Sequence, residues 1–244
     1  MRRRAFLGAV AAAAAWSTTV HAQSDLPAWT SGGLARDSGG TLLSVFGLDP
    51  ELAADVLRPA TRDVALPDGY APADLVSATG AGVASAGAQL IRSVIVDDTY
   101  ALVQAAQADG VDVYVGSGYR SQSFQVTVFA AQVARWGSAE LANRYSAEPG
   151  HSQHQLGTTI DFTDNFRAFR DSAAAAWLQA HAHEFGFLLP YTQTSQEFTG
   201  YVPEPWHARW VGRQLAGALQ TAGYQTWTDS CADDALAVVT RLLG

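Results

Sequence analysis

The sequence predicts an α+β domain. Helical and strand patterns follow one another without the regular strand–helix–strand alternation of a parallel sheet, and no internal repeat or linker divides the chain. The composition, 48% apolar and 16% charged over 244 residues, is that of one globular unit with a real core.

The elements follow in chain order. Arg2, Arg3 and Arg4 precede a short apolar run from Ala5 to Trp16, and Val20-His21-Ala22 ends the segment. That is the plan of a signal peptide over residues 1–22, too short to span a bilayer, which takes about 20 apolar residues. Arg3-Arg4-Ala5-Phe6-Leu7 resembles a twin-arginine signal, with an ordinary secretory signal as the alternative. Residues 23–65, rich in Gly, Asp, Pro and Ser, read as an irregular arm with one short helix near Pro50 to Leu57. The domain proper is expected over residues 66–244.

A helical pattern runs from Val94 to Ala108 and stops at Asp109-Gly110. Val111 to Val115 alternates and is β-branched, which predicts a strand. Ser121 caps a helix that runs to Trp136 and closes at Gly137. Ala147 to Gly157 is a polar loop, and Thr158 to Phe162 a strand. An Ala-rich helix spans Asp171 to Phe185 and stops at Gly186. Phe187 to Leu189 and Trp206 to Val211 are strand candidates, followed by a helix from Gly212 to Ala222. Gly80 to Ser85 begins like a dinucleotide loop, but no strand precedes it and the last Gly is missing, so it reads as a plain loop.

Composition excludes several chemistries. All 15 basic residues are Arg, so a Ser-x-x-Lys nucleophile, a Schiff base and a Walker-A loop are all out of reach. Net charge is −8, and about −11 once residues 1–22 are removed, a surface that repels nucleic acid and anionic membranes. Cys231 is the only cysteine, so no internal disulfide can form.

What the chain does hold is a possible metal site. His154, Asp161 and His207 are the candidate ligands, three donors that would leave a fourth position open. On the strand over 158–162, Thr159 and Asp161 point one way and Thr158, Ile160 and Phe162 the other, so a carboxylate faces away from the core. Pro203 and Pro205 argue against regular strand in Glu204-Pro205-Trp206-His207, and a bend there can bring Glu204 and His207 around one ion. Glu204 would then serve as general base. Singly, each of these residues is compatible with an ordinary solvated side chain. His183-Glu184 starts a His-Glu-x-x-His motif that ends in Phe187 and is set aside with His181. His151 reads as a supporting or an exposed loop residue.

Four ordered blocks carry a resemblance. Ser117-Gly118-Tyr119-Arg120-Ser121 with Gln125, Pro149-Gly150-His151-Ser152-Gln153-His154-Gln155-Leu156-Gly157 leading to Asp161, Glu204-Pro205-Trp206-His207-x-Arg209, and Leu66-Pro67-x2-Tyr70-x-Pro72-x-Asp74-Leu75 resemble VanY-type D-alanyl-D-alanine carboxypeptidases over residues 66–212. The wider group includes lysostaphin-like peptidases and the hedgehog signalling domain. The resemblance implies a small antiparallel sheet carrying a zinc cleft, with helices packed around it. It implies His154, Asp161 and His207 as Zn²⁺ ligands, Glu204 as catalytic base and Arg120 as the oxyanion support. Gln125 would face the cleft, and Gln125 and Ser152 would bind substrate. Trp206 would pack beside the site. Two positions depart from the pattern: Leu189-Pro190-Tyr191 lacks the Arg of an Arg-Tyr pair, and Gln153 stands where relatives often have Glu.

The expected activity is removal of the C-terminal D-Ala from peptidoglycan stem peptides or precursors by an exported monomer of the periplasm or cell envelope. An L,D-carboxypeptidase, a crosslink endopeptidase and a non-catalytic zinc-containing binding module are the rivals. Retention of Glu204 and Arg120 argues against the last.

Overall fold

The computed structural model describes residues 34–36, 42–45, 48 and 50–221. The signal segment and Cys231 lie outside the described residues. In chain order the elements are β1 (Leu34–Arg36), β2 (Leu42–Val45), α1 (Pro50–Val56), β3 (Leu75–Ser77), β4 (Leu90–Arg92), a 3-10 turn at Ser93–Ile95, and α2 (Val96–Ala108). Then come α3 (Gln122–Trp136), α4 (Ala139–Ala142), a 3-10 turn at Gln153–Leu156, β5 (Thr159–Asp161), α5 (Phe166–Phe169) and α6 (Ala173–His181). A 3-10 turn at Ala182–Phe185, β6 (Phe187–Leu188), α7 (Gln196–Thr199), β7 (His207–Trp210) and α8 (Arg213–Thr221) complete them.

The sheet that matters is three-stranded and antiparallel, in the order β5-β7-β6. β1–β2 and β3–β4 are separate antiparallel pairs. The α+β prediction with a small antiparallel sheet therefore holds. Ile160 and Phe162 face the core with no exposed surface, and the Phe162 ring meets Phe187 edge-on at 5.5 Å. Ile95, Leu102, Val103 and Ala106 around α2, Trp177 and Leu178 of α6, and Trp210 of β7 fill the same core. Fully burying a side chain such as Phe162 or Leu178 contributes about 1.5–3 kcal/mol. Polar edges are tied off: indole Nε1 of Trp177 donates to Asp109 at 2.8 Å, and that of Trp210 to Asp98 at 2.7 Å.

The helix boundaries follow local chemistry. The Ser121 side chain accepts from the Phe124 amide, and Gly137 closes α3 in the left-handed region at φ 82°. Ser172 caps α6 in the same way, and the Ala-rich run ends through a 3-10 turn at Gly186, φ 83°.

Two expectations need correction. Val111 to Val115 is not a strand: Val115 makes a single bridge, to Ser85, and residues 111–114 join no ladder. The arm is not wholly irregular, since it holds the β1–β2 hairpin as well as the expected helix. Its later part is built into the core, with Ala53, Val56 and Leu57 fully buried. Among the described residues no helix is long and apolar enough to cross a membrane.

Candidate metal centre

β5 and β7 pair so that Asp161 lies directly opposite His207. A carboxylate and an imidazole from distant parts of the chain are thereby fixed as cross-strand neighbours. His154 arrives from the 3-10 turn before β5. Gly157 ends that turn in the left-handed region, at φ 69°, and lets the chain enter the strand. One donor atom from each of His154, Asp161 and His207 lies within 4.8 Å of the others, and all three residues are buried.

The tautomers follow from the hydrogen bonds. His154 Nδ1 lies 2.7 Å from the Gly118 carbonyl, which can only accept, so Nδ1 carries the proton and Nε2 a lone pair. Gly118 is required there, because a Cβ would collide with the Leu90 carbonyl. His207 Nε2 donates to Gln153 Oε1 at 3.1 Å, which leaves a lone pair on Nδ1. Both lone pairs face Asp161, with His154 Nε2 and His207 Nδ1 each 3.3 Å from a carboxylate oxygen. His154 Nε2 and Asp161 Oδ1 are buried and have no hydrogen-bond partner. Two lone pairs and a carboxylate converging in a dry site repel one another until a cation sits among them. Two imidazole nitrogens and a carboxylate oxygen form a donor set for a divalent metal with an open position.

The electrostatics agree. Burial alone would raise the Asp161 pKa; what holds it well below the usual carboxylate range is positive charge or N–H donation from the side of His154 and His207, a role that falls to a bound cation once both rings turn lone pairs inward. Burial pushes His207 down to about 4 despite the nearby Asp161, so the ring is neutral and able to ligate at neutral pH. Glu204 is raised to about 8 by burial and by the Asp161 charge, with Arg120 and Arg170 opposing. Its carboxylate lies 3.6 Å from His207 Nδ1. The bend expected at Pro205 is present, because the His207 amide donates to the Glu204 carbonyl at 3.1 Å and turns both side chains to one side. The Glu204 amide is itself held by the Tyr191 carbonyl at 2.8 Å.

Arg120 approaches from the other wall, with Nη1 at 3.6 Å from Asp161. Its backbone amide donates to the His154 carbonyl, which ties the Ser-Gly-Tyr-Arg segment to the ligand turn. Burial lowers its pKa, while Asp161 and Glu204 raise it. A cleft of about 460 Å³ is lined by His154, Asp161, His207, Glu204, Arg120 and Ser152, among others. Ser152 is buried in the cleft wall, and its hydroxyl accepts from the His154 amide at 3.3 Å.

Gln125 does not face the cleft. It is fully buried, its Oε1 accepts from Arg120 Nε at 3.1 Å, and its Nε2 donates to the Ala147 carbonyl at 2.7 Å. It is a support for Arg120. His151 reaches the Thr61 carbonyl through Nδ1 at 2.7 Å and ties the ligand loop to the arm. Trp206 lines the cleft as expected. Sequence reasoning gave no role to Tyr191, whose ring packs on His207 at 4.7 Å and on Tyr201 at 4.8 Å. The place of Tyr191 at the tyrosine of the family's Arg-Tyr pair is the signal that could have marked it.

The sequence model of the VanY family, described as D-alanyl-D-alanine carboxypeptidase, matches residues 88–213. The protein YodJ of Bacillus subtilis, a carboxypeptidase by name, is 30% identical over 174 residues, covering 68% of this chain and 63% of its own. The chain spans about half to two thirds of the length of the first curated relatives it matches. Among solved structures, the vancomycin-resistance D,D-pentapeptidase VanY in complex with Zn(II) superposes with a TM-score of 0.60 at 27% identity, covering 75% of this chain and 99% of that one. The LD-carboxypeptidase LdcB gives a TM-score of 0.61 at 28% identity, covering 80% and 94%. With the match reaching from β4 to the start of α8 and enclosing every donor of the centre, the chain belongs to the VanY family of D-alanyl-D-alanine carboxypeptidases.

Proposed function

We propose that the chain is an exported zinc carboxypeptidase that hydrolyses the C-terminal D-Ala bond of peptidoglycan stem peptides. The observation that carries this reading is the convergence of His154, Asp161 and His207 on one point with Glu204 and Arg120 beside it. His154, Asp161 and His207 would hold the zinc. When bound, zinc supplies Lewis-acid polarisation of the scissile carbonyl and acidifies a water toward a pKa of about 7.

The chain's own residues do the rest. Glu204 takes the proton of the attacking water and delivers it to the leaving amine of D-Ala. Its position on a turn, held by the Tyr191 carbonyl, fixes the carboxylate next to His207. Arg120 sets a guanidinium beside the carbonyl, where negative charge develops in the transition state. Gln125 and Ser117 hold that guanidinium in place through hydrogen bonds of 3.1 and 3.2 Å. Ser152 offers a hydroxyl in the cleft wall for the substrate. Residues 1–22 serve as the export signal, 23–65 form an arm whose described part from residue 50 packs against the enzyme domain, and the mature protein acts in the periplasm or cell envelope.

The test is mass spectrometry of synthetic pentapeptide and tetrapeptide stems after incubation with zinc-loaded protein and with its Glu204→Ala variant. Loss of one alanine from the pentapeptide, by the parent only, is expected. The superposition on LdcB favours a second reading, an L,D-carboxypeptidase with the same residues, and loss from the tetrapeptide alone would establish it instead. No cleavage of either stem by the zinc-loaded protein would remove both readings.

A further inference from the structure

We propose that the outer part of the cleft is a carboxylate-binding subsite, formed by Arg170 with Arg135 and Arg167, that selects peptides carrying an acidic group upstream of the scissile bond. The proposal rests on the reading of the centre as a peptidase and adds a substrate preference to it.

The chain has 23 acidic residues against 15 Arg, yet the cleft wall reverses that balance. It is lined by Arg120, Arg135, Arg167 and Arg170, and its carboxylates are Asp161 and Glu204, both at the metal end. Among the described residues, Arg120 is the one of these four within ion-pair distance of an acid, at 3.6 Å from Asp161, while Arg170 acts on the Glu204 charge from farther away. Arg135, Arg167 and Arg170 are exposed. A concave wall of one sign in a protein of the other focuses its field on the ligand.

Arg170 is also preorganised. Nη1 donates to the Pro203 carbonyl at 3.0 Å, one residue before Glu204, and the guanidinium lies 5.1 Å over the Trp206 ring. One of its five N–H groups is thus engaged within the described structure, and the others remain for a bidentate partner. On the α3 side of the cleft, Arg135 lies 5.3 Å over Trp136, and Trp136 stacks on Tyr145 at 4.0 Å. The indole is already covered by Tyr145 and Arg135, so this wall offers charge to a ligand and little bare ring for a sugar. A carboxylate meets that chemistry, and its amide isostere does not.

The experiment uses the full-length, zinc-loaded Glu204→Ala protein, which separates binding from turnover. Two fluorescent peptides ending in D-Ala-D-Ala, one with Glu and one with Gln upstream, are titrated by anisotropy at low and high salt. The acidic peptide should bind about tenfold more tightly, a preference that shrinks with salt. Arg170→Gln should remove most of the preference, and Arg170→Lys should retain part of it. The Arg135→Gln/Arg167→Gln double variant, which breaks no hydrogen bond of the described structure, should also reduce it. Equal affinities for the two peptides, no binding of the acidic one, or a preference that survives all three Gln substitutions would overturn the subsite. D-Ala release by the parent protein is scored separately. A salt-sensitive preference without release would sink the peptidase reading and leave the subsite standing, and release without preference would do the reverse.

Discussion

Glu204 lies where burial and Asp161 favour its neutral form, with a pKa of about 8 in the metal-free site. A divalent cation beside His207 reverses that preference and returns the carboxylate to its basic form. Replacing Glu204 by Gln keeps the shape and removes the base. Turnover should fall by about 10²–10⁴, with zinc content, measured by elemental analysis, unchanged. Full activity of the variant would take Glu204 out of the mechanism. Gln153 makes a subtler prediction. Its Oε1 holds the Nε2 proton of His207 and so keeps the Nδ1 lone pair on the metal side. Gln153→Ala should weaken zinc binding by about tenfold in competition with a chelating dye, and Gln153→Glu should not. Equal losses in both variants would show that packing, and not the hydrogen bond, is what matters. At this scale the residues that the structure brings together, His154, Asp161 and His207, were legible because motif spacing marks them. Gln125 was identified but misplaced: helical periodicity says that it lies one turn past Ser121, and cannot say that this face of α3 turns inward beneath Arg120.

Strand register decides whether the centre exists. Asp161 opposes His207 and Thr159 opposes Arg209, so slipping the pair by one residue would turn Asp161 from the cleft toward the core. Arg209, two residues along β7 from His207, pins this register: it is almost wholly buried, and its Nη2 donates to the carbonyls of Val56 and Arg58 at 3.1 and 2.7 Å. Arg209→Met should leave one buried and one half-buried carbonyl without that donor and cost about 2–4 kcal/mol, read as a lower urea midpoint. An unchanged midpoint would mean that the arm is not held through this side chain. The β5 and β7 segments could be found in the sequence because β-branched and aromatic residues alternate between breakers. The same signal misled at Val111 to Val115. There Val113 and Val115 are buried and Asp112 is exposed, so the alternation is real. Alternation reports which face is covered, not whether the backbone finds a partner, and here it finds one bridge. The β1–β2 hairpin was missed for the opposite reason: Leu34–Arg36 and Leu42–Val45 lie in Gly- and Ser-rich sequence and hold a single β-branched residue, Val45, so no strand pattern marks them.

Across the whole molecule, the described part of the arm from residue 50 is bound to the domain by charge as well as by packing. Arg92 is 5% exposed and bridges Asp55 at 2.6 Å and Asp74 at 2.7 Å. The Tyr70 hydroxyl closes this network by donating to Asp55 at 2.9 Å. Burial and the neighbouring Asp55 raise the Tyr70 pKa to about 12, above its ordinary value of 10.0. A group whose folded pKa lies above its unfolded one holds more protons when folded. Its contribution to stability is therefore complete below pH 10.0 and lost as the pH rises toward about 12. Tyr70→Phe removes both the hydroxyl and its titration. In metal-free protein the parent should be the more stable by about 1 kcal/mol near pH 9, the size of one hydrogen bond. That gap should close as the pH approaches 12, because the ionised parent loses its donor and gains a charge beside Asp55. Urea midpoints of the two proteins across this range measure it directly. A gap that stayed constant to the alkaline end would mean that Tyr70 holds the arm by packing alone, and that the link between this segment and the enzyme domain does not respond to its ionisation.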